Sequence, residues 1–134
     1  MFIQNCLDIL NKYGSSIVLG VETTLLVSLT GTFFGLILGL LVGGIRAVKL
    51  DYTAGPVVRF FKKLLDIIIN IYITVFRGTP MMVQALFLYY ALLHVFNWTA
   101  LQAAIFVISV NTGAYMAEIV RSGIQAVDVG QTEA

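Results

Sequence analysis

The sequence predicts an all-α membrane protein with three transmembrane helices and an external N-terminus, and three features support this fold class. Hydrophobic residues make up 59% of the chain and charged residues 11%, whereas an average globular domain carries roughly 25% charged residues. Two long stretches, residues 23–45 and 78–117, contain no formally charged side chain. Most of the cations lie between these stretches, namely Arg46, Lys49, Arg59, Lys62, Lys63 and Arg77.

The first uncharged stretch predicts a transmembrane helix over about residues 16–45, after an external segment over residues 1–14. At about 1.5 Å per residue the uncharged stretch reaches about 35 Å, which covers a hydrocarbon core of about 30 Å. A glycine stands at every fourth position of this helix, at Gly31, Gly35, Gly39 and Gly43. This spacing lets two helix backbones approach closely, so we expect packing within the subunit or against a second copy. A substrate-lining role would require polar side chains that the glycine face lacks.

The segment 46–77 combines basic residues with large apolar ones and is predicted to lie on the cytoplasmic side. Helical spacing places five polar residues on one face, namely Arg59, Lys62, Lys63, Asp66 and Asn70. This pattern is typical of a basic amphipathic helix in the membrane interface. The same residues also fit the first half of a helix that climbs into the membrane.

A break in this helix is predicted at Arg77, Gly78, Thr79 and Pro80. Proline lacks an amide proton and disfavours a straight continuation, so a kink or a new helix is expected at this point. Gly78 would supply the unusual backbone angles of such a joint, and Arg77 would lie at the cytoplasmic boundary. The joint is either part of a gate or an anchored kink.

The second uncharged stretch is long enough for two spans, predicted over about residues 79–93 and 100–120, with a polar break over residues 94–99. Cations accumulate on the cytoplasmic side of membranes. The cations of segment 46–77 therefore place the N-terminus outside, and three crossings place residues 121–134 in the cytoplasm.

Polar residues recur on one face of the third predicted span, where they predict either a translocation path or polar helix packing. Asn111, Tyr115 and Glu118 share this face, and Thr112 is adjacent to Asn111. Polar groups at such depth usually face a bundle interior or a water-filled path. Asn111 and Thr112 are the stronger candidates for a path. Glu118 is expected either to pair with Arg121 or Arg77 or to contact a ligand.

Several other functions have no support in the sequence. A phosphate-binding G-x-x-x-x-G-K-[ST] motif is absent, so the chain is not expected to bind ATP through a P-loop. His94 stands without the Cys, Asp or Glu spacing of a metal site, and no nucleophile–base pair indicates catalysis. A net charge of +1 gives no indication of a nucleic-acid partner.

Three segments resemble the membrane permease subunits of ABC importers for polar amino acids, the histidine, glutamine, glutamate and arginine type. They are Arg77–Pro80, Asn111–Ile119 and Gly130–Ala134, with the sequences RGTP, NTGAYMAEI and GQTEA. The order and spacing of these segments in a three-span frame make the resemblance specific. It covers the chain from about residue 15 to residue 134.

The resemblance implies the N-terminal part of a type I ABC importer permease in a bacterial inner membrane. Gly130, Gln131, Glu133 and Ala134 resemble the start of the cytoplasmic coupling loop, so the chain is expected to stop inside that loop before two further spans. The implied partners are ATPase subunits that carry the ATP, a second permease subunit, either a copy or a relative, an external amino-acid-binding protein and membrane lipid. No cofactor is implied on this chain itself.

Two other functional classes explain the sequence less completely. A structural or assembly subunit would explain the glycines but leave Asn111 and Thr112 without a role. An ion-coupled small transporter would require a paired acid or base near the bilayer centre, and the sequence has none between Gly78 and Ala117.

Overall fold

The computed structural model describes residues 2–48 and 55–127, which form four α-helices. The helices are α1 (Phe2–Ala47), α2 (Pro56–Gly78), α3 (Met81–Phe96) and α4 (Ala100–Gln125). The predicted all-α fold class is therefore confirmed. The coupling-loop candidates Gly130, Gln131, Glu133 and Ala134 lie outside the described residues.

Helix α1 is a single helix of 46 residues, about 69 Å long at about 1.5 Å per residue. It begins at Phe2, so residues 2–14 continue the same helix as the predicted span. The first proline of the chain is Pro56, so nothing in this part of the sequence terminates a helix strongly. The helix is about twice as long as a perpendicular crossing requires.

The crossing predicted over residues 79–93 differs in the structure. Within the described residues, α1 over Ile3–Ala47 and α4 over Ala100–Gln125 are each long and apolar enough to span a membrane. Helix α3 has 16 residues, about 24 Å, which is shorter than the hydrocarbon core of about 30 Å. A third crossing at this place requires α2 and α3 together, as a pair bent by 113°.

Helix α4 lies at the centre of the bundle and packs most extensively against α1. The two helices are parallel, because glycines further along α1 meet residues further along α4: Gly31 meets Ile108, Gly35 meets Thr112 and Gly43 meets Val120. The glycines of α1 leave room for larger side chains of α4, and on α4 itself Ala114 and Ala117 are fully buried. The small residues of α1 therefore allow this close approach.

Helix α2 runs antiparallel to α4 on another side. Ile69 and Ile73 of α2 pack against Ala117 in a buried cluster, and the Tyr72 hydroxyl donates a hydrogen bond of 2.6 Å to the Val110 carbonyl. Further along α2, the Phe76 carbonyl accepts a hydrogen bond from the Asn111 side chain. Helix α2 therefore climbs along α4 towards the middle of that helix before it ends.

The turn between α3 and α4 is fixed by local hydrogen bonds. Asn97 has a φ of 48°, a left-handed conformation that asparagine tolerates better than most residues. Thr99 then caps α4: its hydroxyl accepts from the Gln102 amide at 3.3 Å, and the Gln102 side chain accepts from the Thr99 amide at 3.0 Å. This reciprocal capping box defines the start of α4.

Candidate functional site

Two polar centres lie on the side of α4 that faces α2 and α3. The polar joint comprises Thr79, Gln84 and Asn111 around the end of α2, and the arginine cluster comprises Arg46, Arg77 and Arg121 around Glu118. The centres share α4, on which Asn111 and Glu118 stand two helical turns apart.

The polar joint is needed because α2 ends inside the bundle. The last four carbonyl groups of an α-helix have no partner within that helix, and a buried or lipid-facing carbonyl without a partner costs several kcal/mol. Side chains provide the partners here. The Thr79 hydroxyl donates to the Val75 carbonyl at 2.8 Å, and the Phe76 carbonyl accepts from both Gln84 and Asn111 at 3.0 Å.

Gln84 links the two sides of the joint. Its amide nitrogen also lies 2.9 Å from the Thr79 carbonyl and 2.7 Å from the Thr79 hydroxyl. Its amide oxygen accepts from the Asn111 side chain at 3.2 Å. Gln84 is 7% exposed, so this side chain is almost wholly committed to the end of α2 and to α4.

The structure corrects two expectations about the joint. Gly78 has no positive φ; the change of direction occurs at Thr79, which is extended, with φ −118° and ψ 146°, as the residue before a proline prefers. The joint also lies at the level of Asn111 in the middle of α4, and not at the cytoplasmic boundary. The Arg77 side chain nevertheless reaches back towards Glu118.

The arginine cluster brings three helices together around one carboxylate. Glu118 lies 2.7 Å from Arg46 of α1, 3.1 Å from Arg121 of α4 and 3.8 Å from Arg77 of α2. Both pairs considered from the sequence are therefore present, and Arg46 is an additional partner. A single negative charge among three cations favours one compact arrangement, since its removal would leave the cations to repel each other.

Arg46 and Arg77 each make a second contact. The other terminal nitrogen of Arg46 donates to Asn70 of α2 at 2.6 Å, so Arg46 connects all three helices. The Arg77 guanidinium lies over the Tyr115 ring, 5.2 Å from its centroid, within the range of a cation–π interaction. Tyr115 is 46% exposed, which makes it the most open of the four candidate pathway residues.

The remaining predicted residues lie on the α1–α4 contact. A Cβ atom at Gly35 would stand 2.6 Å from the Cβ atom of Thr112, and one at Gly43 would stand 2.7 Å from the Ala117 carbonyl. Gly31 and Gly39 are equally crowded by Ile108 and Met116. Thr112 therefore packs against α1, and the structure does not bring it together with Asn111 in one cavity.

The sequence reasoning missed Gln84 and the bridging role of Arg46. Gln84 could have been noticed as the one amide side chain in an otherwise apolar and aromatic segment over residues 81–93. Arg46 by its position in the sequence indicates only the topology, and nothing in its local sequence indicates a partner that lies far along the chain. Among the described residues, no group of His, Cys, Asp and Glu side chains could hold a metal ion.

Comparison with known proteins identifies the family. Residues 35–134 match the model of the binding-protein-dependent transport system inner membrane component. A protein of Rickettsia prowazekii (strain Madrid E), provisionally named the glutamine transport system permease GlnP, is 35% identical over 125 residues, covering 92% of this chain and 53% of that protein. No solved structure matches the chain significantly.

Two further relatives agree. The "Probable amino-acid ABC transporter permease protein PatM" of Vibrio harveyi is 36% identical over 99% of this chain and 53% of its own length. The glutamine transport system permease protein GlnP of Escherichia coli (strain K12) is 35% identical over 86% of this chain and 48% of its own length. The chain thus spans about half the length of these relatives. It belongs to the family of inner membrane components of binding-protein-dependent transport systems, and its resemblance to amino-acid ABC permeases is confirmed.

Proposed function

We propose that this chain forms part of the permease subunit of an ATP-driven importer for polar amino acids. The observation that carries the proposal is the similarity to amino-acid and glutamine permeases over nearly the whole chain. The subunit itself is non-catalytic in this proposal and carries no cofactor. ATP is hydrolysed by separate ATPase subunits, and a second permease subunit and an external amino-acid-binding protein complete the transporter.

The geometry supports different roles for the two polar centres, with the polar joint positioning helices and the residues around Glu118 contacting the substrate. Both amide hydrogens of Asn111 are used within the chain, on the Phe76 carbonyl and on Gln84. Asn111 therefore holds the broken span in place. Tyr115 is half exposed beside a guanidinium, and an arginine is well suited to the carboxylate of an amino acid. We assign the substrate contact to Tyr115 and Arg77, with Glu118 as the group that positions Arg77.

The joint is the proposed moving part. Residues Arg77 to Pro80 connect two helix segments that bend by 113°, and half-helices of this kind surround the binding site in many transporters. Gly130, Gln131, Glu133 and Ala134 are proposed to receive the motion of the ATPase. A shift of α2 along α4 would alter the hydrogen bonds of Gln84 and Asn111 together.

The test is amino-acid uptake into membrane vesicles by the permease that contains this chain, assembled with its partners. We expect uptake to require ATP enclosed in the vesicles and to continue when ion gradients are collapsed. Uptake driven by an imposed ion gradient without ATP would overturn the proposal in favour of an ion-coupled transporter. Absence of uptake under both conditions, with an assembled complex, would favour a structural subunit.

A further inference from the structure

A basic groove lies between the C-terminal end of α1 and the N-terminal half of α2, away from the polar joint. Its volume is about 550 Å³. Its polar lining consists of Arg46, Arg59, Lys62, Lys63, Asp66 and Asn70. Since Asn70 holds Arg46 at 2.6 Å, the groove has one wall from each helix.

The groove carries an excess of positive charge. Among the described residues, its lining contains four cations and one carboxylate. Lys62 and Asp66 form an ion pair at 2.5 Å, and Arg46 pairs with Glu118 just beyond the groove. Arg59 and Lys63 stand one helical turn apart on the same wall, a separation that a single phosphate group can bridge.

The surroundings place the groove at the membrane surface. Arg46 lies at the end of the spanning helix α1. On the N-terminal half of α2, Phe60 is 65% exposed and Phe61 is 63% exposed, as expected for apolar side chains that contact acyl chains. Val48 and Ile67 add an apolar strip inside the groove itself.

We propose that this groove binds the phosphate-bearing headgroup of an anionic phospholipid. The cations contact the phosphate, and Val48 and Ile67 contact the upper part of the acyl chains. The apolar strip and the exposed aromatic face of α2 favour a lipid over a soluble phosphate, because a free anion would make no use of either. A bound lipid would connect α2 to the end of α1 beside the arginine cluster.

The experiment is native mass spectrometry of the purified chain in detergent, titrated with phosphatidylglycerol or phosphatidylcholine. We expect the wild-type chain to retain phosphatidylglycerol preferentially. In the double variant Arg59→Gln/Lys63→Gln, retention is expected to fall about tenfold or more, since each surface cation contributes about a factor of five to the binding of anionic lipid. Lys12→Gln, which removes a cation near the other end of α1, is the matched control and is expected to retain phosphatidylglycerol like the wild type.

Two further arms decide between the remaining explanations. The charge-conserving variant Arg59→Lys/Lys63→Arg is expected to keep the preference, which shows that a loss in the neutral variant is not a folding defect. Inorganic phosphate alone is expected not to displace the lipid at millimolar concentration. Three outcomes would each overturn the proposal. The wild type could retain both lipids equally, the neutral variant and Lys12→Gln could lose phosphatidylglycerol equally, or inorganic phosphate could displace the lipid.

Discussion

The α1–α4 contact and the α2–α4 contact use different sides of one helix, and different forces hold them. Between α1 and α4, glycines face Ile108, Thr112, Met116 and Val120, and the contact depends on close packing of backbones. Between α2 and α4, a small apolar cluster is accompanied by the polar joint at Asn111 and by the arginine cluster at Glu118.

This difference indicates which part can move. A close-packed contact has no second arrangement of similar energy, because any shift brings Cα and Cβ atoms into collision. Hydrogen bonds and ion pairs can be exchanged for others nearby at small net cost. We therefore expect α1 and α4 to behave as a rigid pair and α2 with α3 to be the adaptable element.

The largest effect is expected from a methyl group inside the rigid pair. In Gly39→Ala the new Cβ collides with the Met116 Cβ and would stand 3.1 Å from the Ala117 amide nitrogen. The helices must separate, at a cost of about 1–3 kcal/mol in the free energy of unfolding. The measurement is unfolding of the purified chain by SDS in mixed micelles.

Gly20→Ala is the matched control on the same helix. A Cβ atom at Gly20 would meet nothing within 4 Å, and alanine favours a helix over glycine by up to about 1 kcal/mol. A neutral or slightly stabilising result is expected. Equal destabilisation by both variants would show that the α1–α4 contact is looser than described.

A somewhat smaller effect is expected from Glu118→Gln, which leaves the arginine cluster without its central charge. Arg46 and Arg77 then lose their counter-charge and repel each other, so α2 is expected to loosen from α4. Because Glu118 is about one third exposed, we expect a loss of about 1 kcal/mol, well below the cost of breaking a fully buried pair.

Hydrogen exchange of α2 amides measures this loosening. Glu22→Gln removes an exposed acid from α1 and serves as the control, with no expected change in exchange. If added salt restores the protection of α2 in Glu118→Gln, repulsion among the arginines is the cause. Unchanged protection in Glu118→Gln would mean that the cluster does not hold α2.

The polar joint can be tested by a double-mutant cycle between Gln84→Ala and Asn111→Ala. Their side chains share a hydrogen bond of 3.2 Å and the same Phe76 carbonyl. A coupling energy of about 0.6 kcal/mol is expected, the average for such bonds within membranes. The same SDS unfolding assay gives the four free energies, and additive losses would indicate that the two amides act independently.

An effect of similarly small size is expected at Tyr115. Replacement by leucine removes the ring over which the Arg77 guanidinium lies, and such a contact contributes about 0.5–1 kcal/mol at an exposed site. Tyr115→Phe keeps the ring and is expected to match the wild type in stability. In uptake assays of the assembled permease, Tyr115→Leu is expected to raise the KM for the amino acid more than Tyr115→Phe. Equal KM values would remove Tyr115 from the substrate site.

Several elements could be read from local pattern. The uncharged run of residues 23–45 indicates a spanning helix, and Thr99 with Gln102 is a capping signal that stands entirely within four residues. The glycines of α1 indicate that something packs closely against them. Each of these features involves residues that are close together in the sequence, so helix geometry alone fixes their relative positions.

The sequence by itself therefore determined the membrane environment, the all-α fold class and the family, because composition, periodicity and short motifs carry that information. Only the tertiary structure decided that α4 is the partner of the glycines, that Arg46 bridges three helices and that Asn111 serves a broken helix end. It also decided that a crossing between α1 and α4 requires α2 and α3 together, as a bent pair. These facts depend on contacts between residues tens of positions apart, and such contacts are set by the packing of whole helices, which no local pattern encodes.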